Sequence, residues 1–409
     1  MYKKSVMSLL LGASMVGAAT LGAAPMVAAA ADDTIVLGAA VSLTGKYSTN
    51  GKHTKNGYDL AVERVNEMGG VKVGGKDYKL KIIYYDDEST PARGAQLAER
   101  LISQDKVKFL LGPYSSGLTK AIAPVTEKYQ IPMVEGNGAS VSLFNKGYRY
   151  LFATLSTTQY YLKSAIELLA DEAKAHGRQP SSLRVAMAFE NDPFSSDIRQ
   201  GVVDEAKKYG MKVVVDDKLP PELNDMTATL TKVRALRPDL LLVSGHAKGA
   251  ALVARQTHEM HVRPSMIATT HCDSARIAQS QPEASEGILC ASQWDRSLNY
   301  KGPWFGTAEQ YAERFQKAYG YAPPYQGAES SAAVLVFVSA MERANSLDPK
   351  KVRDAIAATD MQTFYGNIKF NDVGENIAKP MVLYQIQNGE YKVVAPKKWA
   401  SAKLVFPLK

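Results

Sequence analysis

The sequence predicts an α/β protein: two doubly wound parallel-sheet lobes joined by a multi-strand hinge. Three observations carry this. Apolar runs of strand length alternate with amphipathic runs of helix length, and the alternation restarts after Leu151. The C-terminal part then returns to helices and finally to hairpin-like strands, so the chain crosses between lobes more than once. With 409 residues, 45% hydrophobic and 22% charged, there is material for two or three domains. Long disorder, collagen-like repeats and a small disulfide scaffold are excluded by the same composition.

The elements follow in order. Residues 34–43 read as a buried strand, and 55–68 as a helix with Leu60, Ala61, Val65 and Met68 on one face, stopped by Gly69-Gly70. Strands at 79–85, 107–111 and 131–135 alternate with helices at 92–104 and 118–128. Short loops in a βαβ order require parallel pairing and right-handed crossovers. The second unit places helices at 159–174, 197–209, 226–236 and 249–260. Its strands fall at 183–189, 211–215, 240–243 and 266–269. Helices recur at 308–319, 331–344 and 349–359, and strands within 365–394 turn at Asn388-Gly389. The expected division is a signal peptide at 1–30, one lobe at 31–154 plus about 297–360, and a second at 155–296 plus about 361–398. Residues 399–409 form a C-terminal tail.

The N-terminus reads as an export signal. Met1-Tyr2-Lys3-Lys4 is basic, Ser5 to Ala30 carries no charge, and Ala28-Ala29-Ala30-Ala31 precedes Asp32-Asp33. The uncharged stretch is long enough to span a membrane. Its Gly, Ala, Ser and Thr content and small-residue exit favour cleavage near Ala30 and Ala31 instead. No cysteine near the junction supports a lipoprotein anchor, so the expected location is the periplasm. The formal charge of +8 is spread without a basic block, which argues against nucleic acid. The two cysteines, Cys272 and Cys290, can form a disulfide in an oxidising compartment or stand as two buried thiols.

No catalytic or metal motif survives inspection. The loop from Gly45 to His53 has one residue too many for a phosphate loop and His53 where Ser or Thr must stand. Gly136-Asn137-Gly138 lacks the third glycine of a dinucleotide fingerprint, since Val141 occupies its place. Neither Ser115 nor Ser116 has the flanking glycines of a hydrolase elbow. His258-Glu259-Met260-His261 is one residue short of a zinc-protease helix, and His271, Cys272 and Cys290 lack a fourth ligand. No metal and no cofactor is expected. What remains is polar residues at strand C-termini, where open α/β sheets bind ligands. Ser115-Ser116-Gly117 opens a helix whose N-terminus suits a carboxylate, or simply caps it. Gly136-Asn137-Gly138-Ala139-Ser140 offers the same chemistry, and Asp86-Asp87 is an acidic pair at a third strand end.

These residues carry a resemblance. The Thr44-Gly45 loop, Gly69-Gly70, Asp86-Asp87 and Leu111-Gly112-Pro113-Tyr114-Ser115-Ser116 are similar to those of type I periplasmic solute-binding proteins. So are Ile131-Pro132 leading into Gly138-Ala139-Ser140, and Gly366-Asn367-Ile368-Lys369-Phe370 with Gly374. The order and spacing most resemble the branched-chain amino-acid-binding type of ABC importers, from about Thr34 to Val394. The resemblance implies a receptor that closes two lobes over a small ligand. It implies that Ser116 binds the ligand carboxylate, assisted by Ser115, and that Gly138 and Ser140 donate from the backbone. Phe194 and His246 would then contact the ligand from the second lobe. Where that family carries a glutamate for the ligand ammonium, this sequence aligns His271.

A neutral imidazole does not replace a carboxylate, so amino-acid binding should weaken unless Asp273, Asp295 or Glu329 substitutes. The ligand classes left open are an amino acid or analogue, a non-amino organic acid and, last, an amide or other polar solute. His246 and His271 offer donors to an anionic or hydroxyl group, and Phe194, Trp294 and Tyr325 could stack on a flat organic or aromatic acid. Tyr47 is counted among the ligand contacts. The implied partners are the small ligand and ABC permease subunits, with the protein a monomer and not an enzyme. A sensory module for a membrane receptor and a secreted hydrolase are the alternatives.

Overall fold

The computed structural model describes residues 33–408 except Glu222, so the signal sequence expected at 1–30 lies outside the described residues. The first lobe is built on β1 (Thr34–Val41), β2 (Val71–Val73), β3 (Lys76–Asp86), β4 (Leu110–Leu111), β5 (Met133–Glu135) and β6 (Leu151–Ala153). Their order is β2-β3-β1-β4-β5-β6, parallel throughout except for the β2–β3 hairpin. That hairpin, turned by Gly74-Gly75, and the three-residue β6 extend the expected four-strand core at both edges.

The second lobe uses β7 (Arg184–Glu190), β8 (Lys212–Leu219), β9 (Leu240–Ser244), β10 (Met266–Thr270) and β11 (Leu289–Ser292). Two small hairpins follow, β12 (Lys301–Gly302) with β13 (Gly306–Thr307) and β14 (Asp360–Thr363) with β15 (Gly366–Lys369). The last strands, β16 (Val382–Gln387) and β17 (Glu390–Ala395), turn at Asn388-Gly389 and join the second sheet antiparallel. Its order is β17-β16-β11-β10-β9-β7-β8.

Helices cover both faces of the sheets, as a parallel sheet requires. Ser48–Glu67, Ala308–Tyr319, Tyr325–Ala344 and Pro349–Ala357 share a core with the first sheet. Phe364, Tyr365, Ile368 and Phe370 belong to that same core, so its apolar packing runs past the boundary expected near 360. The helix Ser48–Glu67 starts a full turn and more before the expected 55, through a polar stretch of low helix preference. Packing explains it: a Cβ at Gly51 would lie 1.8 Å from the Ser42 carbonyl oxygen, so glycine lets the first turn close onto the end of β1.

Three chain segments cross between the lobes, and they are laced together. Ser156 N donates to Gln293 Oε1 at 3.1 Å, and Gln293 Nε2 donates to Ser156 O at 2.8 Å. Asn376 Nδ2 donates to Thr154 O at 2.7 Å, Ser156 Oγ to Lys379 O, and Lys379 Nζ to Gln293 O. Several short crossings meeting at one place make a hinge, opposite which the strand C-termini of both sheets face one another.

Candidate functional site

The two sets of strand ends enclose a small gap, closed to little more than the space of a water molecule. The first lobe lines it with Tyr114, Ser115, Ser116, Asn137, Ala139, Tyr325, Gln326 and Glu329; Phe194, His246 and His271 face them from the second, and Leu155 and Tyr161 lie beside the hinge. Of the residues singled out in the sequence, Ser115, Ser116, Phe194, His246, His271 and Tyr325 therefore come together.

Local backbone places them. Ser115 takes φ 88° and ψ 146°, a conformation other residues than glycine rarely hold, and caps the helix Ser116–Tyr129 by accepting from Leu118 N at 3.4 Å. Thr119 N is taken by Ser115 O at 3.0 Å, so the free N–H groups of that first turn belong to Ser116 and Gly117. His271, at the end of β10, also sits at positive φ, 62°. Two strained non-glycine residues on one gap mark it as functional ground.

Ser116 Oγ accepts from Ser140 N at 3.0 Å, which leaves its own hydrogen to donate to an anion. Ser140 does not line the gap. Its hydroxyl is held by Ser142 Oγ at 2.9 Å and by Asp197 of the second lobe, so it positions Ser116 and ties the lobes together. Gly138 does not donate toward the gap either: its N–H goes to Glu135 Oε2, and a Cβ there would meet Thr119 Oγ1 at 2.5 Å. Tyr47 stands one layer back, its ring 5.5 Å from Tyr114 and 4.6 Å from His246. Trp294 is no stacking wall. Its indole donates to Phe364 O at 3.0 Å and packs edge-on to Tyr311 in the core of the first lobe.

The acidic residues considered as substitutes part ways. Asp273 Oδ2 accepts from Tyr325 N at 3.0 Å, closing one lobe on the other. Asp295 is engaged by Ser297 N at 2.8 Å, and only Glu329 lines the gap. Asp86 and Asp87 fasten the loop after β1, accepting from Thr44 Oγ1 at 2.7 Å and Ser42 Oγ at 2.6 Å. Cys272 and Cys290 are bridged, with Cα atoms 6.0 Å apart, so neither is a metal ligand.

A proton-ordered chain crosses the gap. Tyr114 Oη lies 2.7 Å from His246 Nδ1 and 3.0 Å from His271 Nε2, and His246 Nε2 lies 3.0 Å from Asp192 Oδ2. Burial alone would lower the His246 pKa, but the bond and charge of Asp192, with Glu190 adding, raise it. Burial pushes the Asp192 carboxyl up, and the His246 bond and charge override this and hold it below its ordinary value. His271 is pushed down to about 3 by burial, then by the His246 charge, and burial keeps the Tyr114 phenol protonated. When His246 is protonated, it donates to Asp192 and to Tyr114, and Tyr114 donates to neutral His271. In that state the gap has a cationic imidazole on one side and a helix N-terminus on the other, a pairing that suits an anion.

Tyr114, Leu155, Tyr161 and Gln326 were not singled out in the sequence; Asn137 and Ala139 stood only within the Gly136–Ser140 segment, and Glu329 only as a substitute carboxylate. Gln326 and Glu329 had a signal, since polar residues inside an otherwise apolar helical run ask for a reason. Leu155 and Tyr161 had none, because they lie in irregular chain beside the hinge.

Comparison with known proteins now joins this geometry. A sequence model of the periplasmic binding protein family matches residues 34–390, and the chain belongs to that family. Leu/Ile/Val-binding protein homolog 8 of Brucella suis is 25% identical over 417 residues, covering 97% of this chain and 98% of that protein. Its relatives thus set the chain beside the branched-chain amino-acid-binding branch. Among solved structures, the substrate-binding protein LivJ of Streptococcus pneumoniae, in complex with isoleucine, superposes with a TM-score of 0.77. It is 20% identical and covers 91% of this chain and 100% of its own. A solute-binding protein of an ABC transporter from R. palustris, in complex with benzoate, gives a TM-score of 0.76 at 17% identity, over 91% of this chain and 97% of its own. At these identities the structures establish the shared fold. Among the described residues no helix is long and apolar enough to cross a membrane.

Proposed function

We propose that this protein is an extracytoplasmic receptor that captures a small, flat carboxylic acid between its lobes and delivers it to an ABC importer. The observation that carries the reading is the pairing of the Ser116 helix N-terminus with the protonated His246 across one enclosed gap. The carboxylate sits against the N–H groups of Ser116 and Gly117 and the Ser116 hydroxyl, with His246 supplying countercharge from the second lobe. Tyr114, Tyr161, Phe194 and Tyr325 form aromatic walls, which suit a planar ligand. The benzoate complex of the R. palustris relative supports an aromatic acid, and the isoleucine complex of the S. pneumoniae relative supports an amino acid. His271 in place of the ammonium-binding glutamate favours the former. The lobes in this reading are the first sheet with its helices, including residues up to Phe370, and the second sheet with its terminal hairpin.

The test is calorimetric titration of the processed protein with benzoate and with leucine, beside scattering curves at saturation. Benzoate binding tighter than leucine, with a smaller radius of gyration in the complex, is the expected result. Tight leucine binding and no aromatic-acid binding overturns the ligand class, and an unchanged radius with a proven ligand overturns closure.

A further inference from the structure

We propose that Gln326 and Asn137 recognise an amide-type group on the ligand, an N–H donor beside a carbonyl, in the gap assigned above to a carboxylate-bearing ligand. This rests on that assignment of the gap, and adds a second recognition element to it.

Gln326 lies in the first turn of the helix Tyr325–Ala344, is 0% exposed and lines the gap. Neither Nε2 nor Oε1 of its amide has a partner among the described residues. Buried polar groups in folded proteins are hydrogen-bonded, so an unpaired amide on a ligand wall points to a partner on the ligand. Asn137 supplies the second half. Ser330 Oγ gives its hydrogen to Gln326 O at 2.6 Å, so toward Asn137 it can only accept. Asn137 must therefore turn its nitrogen to Ser330, at 2.9 Å, which leaves Oδ1 facing elsewhere as an acceptor. That Oδ1 is buried and unpaired too.

The three atoms are thus one donor and two acceptors, all on neutral groups. A second ligand carboxylate would face two acceptors and only one donor. An ammonium would call for a carboxylate opposite it, and Glu329 is a poor one. Its Oε2 accepts from Tyr365 Oη at 3.2 Å, and burial, with Glu135 nearby, raises its pKa well above the ordinary value. A planar amide or urea matches instead, giving N–H to Asn137 Oδ1 and Gln326 Oε1 and accepting from Gln326 Nε2. On this reading N–H recognition has moved from the second lobe, where His271 stands, to the first.

The experiment uses probes that differ only in the N–H group. Wild-type protein is titrated with 4-carbamoylbenzoate and 4-acetylbenzoate, with the shorter pair succinamate and 4-oxopentanoate, and with benzamide. In at least one pair the amide should bind about tenfold tighter or more than the methyl ketone, because a site built for a hydrogen bond rejects the analogue lacking it. Gln326→Leu should bring the two members of that pair to near-equal affinity. If Gln326→Leu does not fold, Gln326→Met keeps the side-chain length, removes the N–H acceptor and should likewise erase the preference. Equal binding within each pair by wild type overturns the amide assignment and leaves the carboxylate receptor standing. Benzamide binding as tightly as 4-carbamoylbenzoate overturns the carboxylate and upholds the amide. Binding by none of the five overturns both.

Discussion

The Tyr114 hydroxyl reaches from the first lobe to within 2.7 Å of Nδ1 of His246 on the second. The same oxygen lies 3.0 Å from His271 Nε2, so one phenol separates two imidazoles whose pKa values are shifted in opposite directions. This contact joins the two lobes. It adds to three others across the gap: Ser140 to Asp197, Asn50 Nδ2 to Ser274 Oγ at 3.1 Å, and Tyr325 N to Asp273 Oδ2 at 3.0 Å. The two lobes are therefore joined around the rim by polar bonds.

Replacing Ser116 with alanine removes the one side-chain donor aimed at the carboxylate and the acceptor that holds Ser140 N. Binding of a carboxylate probe such as benzoate should weaken by roughly 1–2 kcal/mol, on the scale of a hydrogen bond to a charged group. Calorimetry on Ser116→Ala and wild type measures it directly. Equal affinities would show that the anion sits elsewhere.

The disulfide should stabilise the second lobe. Cys272 and Cys290 are 18 residues apart in sequence, and closing a loop of that length limits the unfolded chain by about 3 kcal/mol in the entropic picture. Cys272→Ser with Cys290→Ser should lower stability to denaturant by that order. Wild-type protein whose thiols react freely with a labelling reagent, or a double variant of unchanged stability, would remove the bridge from the account.

How far these residues were legible depends on where they sit. Ser116 stands at the C-terminal end of a strand, which alternation locates in a doubly wound sheet, whereas Phe194, His246 and His271 were legible only through the resemblance to solute-binding proteins. Trp294 misled because a large aromatic near a strand end looks like a ligand wall, whereas its indole N–H found a backbone carbonyl inside the core. Gln326 escaped because the helix was expected to begin at 331 and begins at Tyr325. Its first turns are polar and wholly buried, packed on Gly57 of the helix Ser48–Glu67, where a Cβ would lie 2.2 Å from the Gly327 carbonyl oxygen. Tertiary packing overrode the periodicity on which the boundary rested.

His53 gives a pH-dependent prediction at the rim. Its ring bonds Tyr321 Oη at 2.8 Å and Ser274 O at 3.2 Å, and burial, with the Lys52 and Arg276 charges, pushes its pKa down to about 4. The unfolded chain takes up this proton below about 6.5, while the folded protein resists until about 4. Stability from this residue is therefore intact above the unfolded pKa and lost as pH falls between those values, by at most about 1.4 kcal/mol per pH unit. Glu135 and Glu190, both raised to about 7 by burial, act in the opposite sense, so a single melting curve does not isolate His53. The difference does: the melting temperature of His53→Gln minus that of wild type should grow more positive from pH 7 to pH 5. A difference independent of pH would mean that His53 titrates normally.

Asp192 carries the last prediction, because it holds the charge on His246. The His246 pKa is raised in the folded state, so the interaction is fully present below the unfolded value and is lost as pH rises through the raised one. Wild-type affinity for benzoate should then decline as pH rises through the raised His246 pKa. Asp192→Asn keeps a hydrogen-bond acceptor for Nε2 but removes the carboxylate charge, and burial then lowers the imidazole pKa. At pH 7 the variant should bind benzoate several-fold more weakly, because the imidazole charge facing the anion is lost. Acidification should restore much of that loss, because a lower pH protonates His246 again, whereas simple damage to the fold would not be repaired. Calorimetric titrations of both proteins from pH 5 to pH 9 decide the matter, and profiles that run parallel would mean that His246 does not supply the countercharge.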